Sequence, residues 1–217
     1  MKKIFILSAL SFFLLAKLSA QSFEKGSKVI DLRYEFGIYS TQSHDKVANT
    51  NSTGSAASKI FNGSFEYGVL NWLGVGVKMQ YDSYIASNDT IYHSPPQATE
   101  IVKPSVGAFD MAAMVNVHLA KKDHFDLAFG ANFGASFFHY HLNDAAASQA
   151  NATGSWIDIH LTPRFYFGNH FGIHLNLGYA SFNYPNVIAK SSAQSSINFS
   201  TLKGSGANFG IGFQYRF

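Results

Sequence analysis

The sequence predicts an all-β protein: an eight-stranded antiparallel up-and-down barrel that crosses a membrane with its apolar face outward. Three observations carry this. The first is long period-2 alternation, clearest in residues 204–217. There Ala207, Phe209, Ile211, Phe213, Tyr215 and Phe217 form one set, and Gly206, Asn208, Gly210, Gly212, Gln214 and Arg216 the other. Such alternation marks a strand with two chemically opposite faces. The second is composition: 16% aromatic residues, with 21 Phe and 11 Tyr, against 13% charged residues, which suits a sheet with one face in lipid. The third is the rhythm of the connections, which alternate long and short and leave both ends of the sheet on the short-turn side.

The chain opens with Lys2 and Lys3, an apolar run from Ile4 to Leu15 and a small-residue end at Ser19-Ala20. This is the layout of a secretory signal peptide over residues 1–20, with cleavage expected before Gln21. The apolar run falls short of the ~20 residues a spanning helix needs. Residues 21–217 then form the barrel, beginning with a flexible lead at 21–27.

The first strand, 28–39, sets Ile30, Leu32, Tyr34, Phe36 and Ile38 against Asp31, Arg33 and Glu35. A polar tract of Ser, Thr, Asn, Ala and Gly at 41–58 reads as the first long loop. The second strand, 59–69, opposes Phe61, Phe65, Tyr67 and Val69 to Asn62, Ser64, Glu66 and Gly68. After a tight turn near Asn71, the third strand, 72–84, opposes Val75, Val77, Met79 and Tyr81 to Gly76, Lys78, Gln80 and Asp82. Pro95-Pro96 interrupts the second long loop, 85–103.

The fourth strand, 104–119, carries Phe109, Met111, Val115 and Val117 against Asp110, Met114, Asn116 and His118. A charged turn at 120–124 leads to the fifth, 125–137, with Phe125, Phe129, Phe133 and Phe137 against Asp126, Gly130, Asn132, Gly134 and Ser136. The third long loop is 139–153. The sixth strand, 154–167, sets Ile157, Ile159, Leu161 and Phe165 against Trp156, Asp158, His160 and Arg164. The seventh, 171–182, sets Ile173, Leu175, Leu177 and Tyr179 against His174 and Asn176. The fourth long loop is 183–203, and 204–217 closes the sheet.

Glycines crowd the polar set, and aromatic residues gather at the strand ends of the apolar set. The first suits a filled interior and the second an interfacial girdle, so the apolar face looks out. A sheet in hydrocarbon must close on itself to bond every backbone group, and eight strands leave an interior that side chains fill. Arg33, Glu35, Glu66, Lys78, Asp110, Asp158, Arg164 and Arg216, with Asp31 and Asp126, then form a polar network in the lumen. Cross-strand parity puts Ser64 opposite Lys78 and makes Glu66–Lys78 a candidate ion pair.

Several functions are disfavoured. Of the 16 Lys and Arg, three lie in the first twenty residues, and the remainder carries 13 basic and 13 acidic groups, so charge supports no nucleic-acid partner. With no cysteine there is no disulfide, thiol nucleophile or lipidated Cys. The turn register separates His160 from His174 along the wall by about 13 Å, too far for a shared metal. His139 and His141 share the outer rim. Ser136, His139 and Asp144 have no catalytic spacing, and no phosphate-binding loop is present. No catalytic residue, metal site or cofactor is expected.

The eight-strand meander, the signal-peptide layout and the Gln214-Tyr215-Arg216-Phe217 ending resemble the small bacterial outer-membrane β-barrels of the OmpA/OmpX-like and porin-family group. The resemblance covers all of 21–217. It implies an outer-membrane location reached through the periplasm, contact with outer-membrane lipids and lipopolysaccharide, and reading of Tyr215 and Phe217 by the barrel-assembly machinery. The expected role is non-enzymatic: envelope structure, with loops 41–58, 85–103, 139–153 and 183–203 available for adhesion or an extracellular ligand. A narrow passive pore is the second expectation and a lipid-modifying enzyme the third.

Overall fold

The computed structural model describes residues 23–86, 89–91, 100–102, 104–142, 149–191 and 194–217. The expected signal peptide, Asp144 and much of loop 85–103 lie outside them. The strands, in chain order, are β1 (Lys28–Asp45), β2 (Thr50–Leu70), β3 (Leu73–Tyr84), β4 (Asp89–Ile91), β5 (Glu100–Val102), β6 (Ser105–Lys122), β7 (Phe125–His141), β8 (Gln149–Phe167), β9 (Phe171–Ser191) and β10 (Gln194–Arg216). Eight of them close a barrel in the order β1-β10-β9-β8-β7-β6-β3-β2, every neighbour antiparallel; β4 and β5 form a separate two-stranded ladder. Pairing of β1 with β10, Val29 opposite Arg216 through Asp45 opposite Ser200, leaves the barrel with no free edge.

Burial alternates along the strands with the apolar set outside. On β10, Phe209, Ile211 and Phe213 are 51%, 51% and 67% exposed, while Asn208 and Gln214, which flank them, are buried. Ile30, Leu32, Phe36 and Ile38 of β1, Val77 and Met79 of β3, and Leu175 and Leu177 of β9 are likewise exposed. A water-soluble barrel buries this set, so the exposed apolar band identifies a wall built for lipid. Among the described residues no helix is long and apolar enough to cross a membrane, and the crossing is made by strands.

The strands outrun the band. β1 continues six residues past Tyr39, and Thr50 to Ser58 of β2 pair with it in unbroken register, Ser40 opposite Ser55 and His44 opposite Asn51. Tracts 41–58 and 183–203, expected as loops, are therefore mostly paired strand: β1–β2 turn at 46–49 and β9 runs to Ser191. Residues 139–141 and 149–153 are strand as well. Above the membrane both faces of a strand are wet, so polar residues suit it on both sides. The result is a β-wall standing above the band.

At the β1–β2 tip, Asn49 takes φ 52°, the left-handed conformation Asn tolerates best after Gly. The Asp45 carboxylate accepts from the backbone N–H of Ala48 (3.0 Å) and Val47 (2.8 Å). These two bonds hold its pKa below the ordinary 3.8. A depressed carboxyl contributes its stabilisation above the ordinary value and loses it as pH falls through the lower folded value. The Asp45 carboxyl carbon is expected to titrate below pH 3.8 by NMR, with the Val47 and Ala48 amides shifting alongside. Asp45→Ala removes that linked amide titration.

Glycines permit close approach in two ways. A Cβ on Gly76 would collide with the carbonyl oxygen of Phe65 on β2, and one on Gly210 with the carbonyl oxygen of Tyr34 on β1. These glycines let neighbouring strands coil tightly, and large residues there distort the sheet rather than block a channel.

Candidate functional site

The lumen is filled in layers. At the short-turn end the lead folds back: Gly26 N–H donates to Gly68 O (2.8 Å), Gly68 N–H to Ser27 O (2.8 Å), and Lys25 N–H to Asn71 Oδ1 (3.0 Å). Phe23 is thereby carried into the barrel mouth, 1% exposed, stacked on the His118 ring at 3.5 Å and 11°. From Phe23 onward the lead, expected to be flexible, is an ordered stopper. Phe23→Ser is expected to free it: trypsin cleavage after Lys25 in the folded barrel rises about tenfold, equivalent to ~1.4 kcal/mol less cost of local opening.

Behind Phe23 lies the first charged layer. His118 contacts Asp126 through Nδ1 (2.8 Å) and Glu66 through Nε2 (2.9 Å). The Arg164 guanidinium donates to Glu66 (2.8 Å) and sits 3.6 Å from Asp126. Glu66 on β2 and Arg164 on β8 are four strands apart in either direction, so this contact spans the full diameter.

The middle layer holds Arg33, which donates to Asp31 (2.8 Å) and Asn176 (2.9 Å) and lies 3.6 Å from Glu35. His174 contacts Asp31 at 3.0 Å. Lys78 lies 3.6 Å from Asp158 and 5.0 Å from the Trp156 ring centroid. Asp158 also accepts from Asn132 (2.7 Å) and Asn208 (3.1 Å) and contacts His160 (3.1 Å). Above, Gln80 Nε2 donates to both Asp82 and Asp110 at 2.9 Å. Arg216 sits apart at the short-turn rim, donating to Asn169 O (2.8 Å) and lying 4.7 Å from the Tyr166 ring.

The structure thus brings nine of the ten expected lumen residues into the interior and leaves Arg216 at its edge. Ser64 does face Lys78 in register. The expected Glu66–Lys78 pair is nevertheless replaced: Glu66 is taken by Arg164 and His118, and Lys78 by Asp158. Parity along one sheet finds neighbours on adjacent strands and is blind to partners across the lumen. It places His118, His160 and His174 on the inward set, where they are buried, but gives no sign of the carboxylate that each contacts. Among the described residues no group of three His, Asp or Glu is placed to hold a metal.

An aromatic lid closes the other end. Tyr39, Phe182, Tyr184 and Trp156 are buried together, with Tyr84 packed against them. Tyr39 meets Phe182 at 5.6 Å and Phe182 meets Tyr184 at 5.5 Å between centroids. Inward aromatic residues at 182 and 184 fell in or beside an expected loop. A register shift between Ser200, which pairs with Val187, and Leu202, which pairs with Tyr184, then moves the inward parity so that Val187 follows Tyr184 inside.

Ser136 and His139 are separated by this architecture. Ser136 is buried with its Oγ 2.6 Å from the Tyr184 hydroxyl. His139 lies on the outer face, stacked on Tyr81 at 5.9 Å. An accessible polar concavity among the described residues is a groove of about 480 Å³ on the wall, lined by Gln42, His44, Asn51, Thr53, Thr201 and Lys203 among others.

A closed meander with an apolar band outside and a charged interior defines the class: the chain is a small integral membrane β-barrel with the fold of bacterial outer membrane proteins. No family model and no curated protein matches the sequence. Among solved structures it is similar to the outer membrane protein OprG from Pseudomonas aeruginosa, at 12% identity over 91% of this chain and 99% of that one, with a TM-score of 0.64. It is also similar to the outer membrane protease OmpT from Escherichia coli, at 6% identity over 88% of this chain and 97% of that one, TM-score 0.51. At these identities the likeness is one of fold, and function rests on this chain's own residues.

Proposed function

We propose that this barrel is a non-conducting, non-enzymatic outer-membrane protein that works through the β-wall it raises above the membrane. The observation that carries this reading is the Glu66–Arg164 bridge across the full lumen diameter, roofed by the aromatic lid and floored by Phe23. Breaking such a bridge to admit solutes leaves buried charges unpaired. Against catalysis stands the placement of Ser136 inside and His139 outside. The wall groove offers hydroxyls, amides, an imidazole and the Lys203 ammonium, a donor-rich lining suited to a polar extracellular partner such as a glycan. Residues 1–20 would direct export, and Tyr215, which packs on Phe171 and Phe217 at 5.1 and 4.8 Å, would present the ending read by the assembly machinery.

A narrow pore is the second reading. It is favoured by Glu35, Asn62 and Gln214, buried side chains whose polar ends hydrogen-bond to no group among the described residues. Planar-bilayer recording decides between the two. The closed reading expects no steady unitary current from the wild-type barrel and openings only once the lid or stopper is cut back. Steady wild-type openings would favour the pore.

A further inference from the structure

Among the residues whose side chains are described, the charged and imidazole groups that point outward between the apolar band and the hairpin tip are Lys59, Lys203, His44, His139 and His141. The outward positions among these described side chains carry no carboxylate, while Asp82 and Asp110 at similar height point inward. Three residues of one neighbourhood form a platform at the upper edge of the band. Tyr81 is 44% exposed, and its hydroxyl lies 3.4 Å from His139 Nε2, the two rings stacked. His139 reaches Tyr81 by lying flat across Gly107 on the intervening strand, where a Cβ would come within 2.7 Å of the imidazole Cε1. Lys59 sits opposite Ser83 on β3, diagonal to Tyr81 and exposed. Directly below are the exposed rings of Phe61, Phe109 and Phe137.

We infer that Lys59, Ser83, Tyr81 and His139 form a docking site for the phosphorylated headgroup of an outer-leaflet glycolipid, whose acyl chains lie on the aromatic rings below. Charge complementarity selects the occupant: an ammonium, a hydroxyl, a phenol and an imidazole supply donors for phosphate oxygens, with no outward acid among the described side chains beside them. The height selects the source, because a lipid places phosphate directly above hydrocarbon. The site depends on the outward orientation of the wall and not on the closed lumen, so a conducting barrel leaves it untouched.

The test is native mass spectrometry of the detergent-solubilised barrel titrated with bisphosphorylated lipid A. Wild type is expected to retain one lipid A, with the affinity falling at least fivefold in Lys59→Ser/His139→Gln and less than twofold in Lys122→Ser, at the exposed short-turn end of β6. Dephosphorylated lipid A is expected to bind at least fivefold more weakly to wild type, and millimolar inorganic phosphate is expected not to displace the lipid. Equal binding by the double variant, no preference for the phosphorylated lipid, or displacement by free phosphate would each overturn the assignment. Should the double variant fold poorly, Lys59→Ser alone is expected to lose about half the effect on a logarithmic scale, and no loss there overturns it equally.

Discussion

Replacing Arg164 by Met lowers the unfolding free energy of the barrel by about 3–5 kcal/mol, measured by urea titration in lipid vesicles. The guanidinium is the cation that faces both Glu66, at 2.8 Å, and Asp126, at 3.6 Å. Met fills much of the same volume but leaves two carboxylates with His118 as their shared partner, in a region sealed by Phe23. Most of the loss is the cost of uncompensated buried charge, so a second change should return part of it. Arg164→Met with Glu66→Gln is expected to be more stable than Arg164→Met alone. A double variant less stable by the sum of both single losses would mean the two residues do not interact.

Replacing Ile211 by Arg costs about 2–4 kcal/mol in the same assay, the range for a cation at the bilayer midplane on a lipid-facing strand. Ile211 lies between Phe209 and Phe213 in the centre of the exposed band of β10. Arg at Ser205, on the same face above the band, is expected to cost about 0–1 kcal/mol. The contrast separates burial in lipid from loss of strand propensity, since both positions lie in the same strand. Equal costs at 205 and 211 would place the membrane elsewhere.

What could be read from the residues follows the physics of each region. Where one strand face meets lipid and the other meets the lumen, the chemistry alternates, and all eight crossings and their outward residues were legible. The alternation vanishes where both faces are wet. The polar tract at 41–58 therefore reads as a loop, although Ser40 to Asp45 pair with Thr50 to Ser55 residue by residue. The lead from Phe23 has no period at all, so it reads as flexible, and a single ring among small and charged residues is too little to mark the buried stopper it forms. Adjacent-strand geometry was legible enough to place Ser64 opposite Lys78 and Arg164 opposite His174. Contacts across the lumen were not, because they depend on closure and shear, which no local pattern encodes. Hence Glu66 met Arg164 and not Lys78.

The lid has a similar explanation. Tyr39 could be seen to point inward by parity, and so could Trp156. Phe182 and Tyr184 could not be joined to them, since aromatic residues near strand ends also serve the girdle and the break in register beside Pro185 hides their face.

The account depends most on the orientation of the wall, and paramagnetic relaxation in lipid nanodiscs reads it directly. With a spin label carried on acyl chains, the side chains of Phe209, Ile211 and Phe213 are expected to broaden strongly, and those of Asn208 and Gln214 to remain sharp. Broadening of Asn208 and Gln214 with protection of Phe209, Ile211 and Phe213 would contradict it.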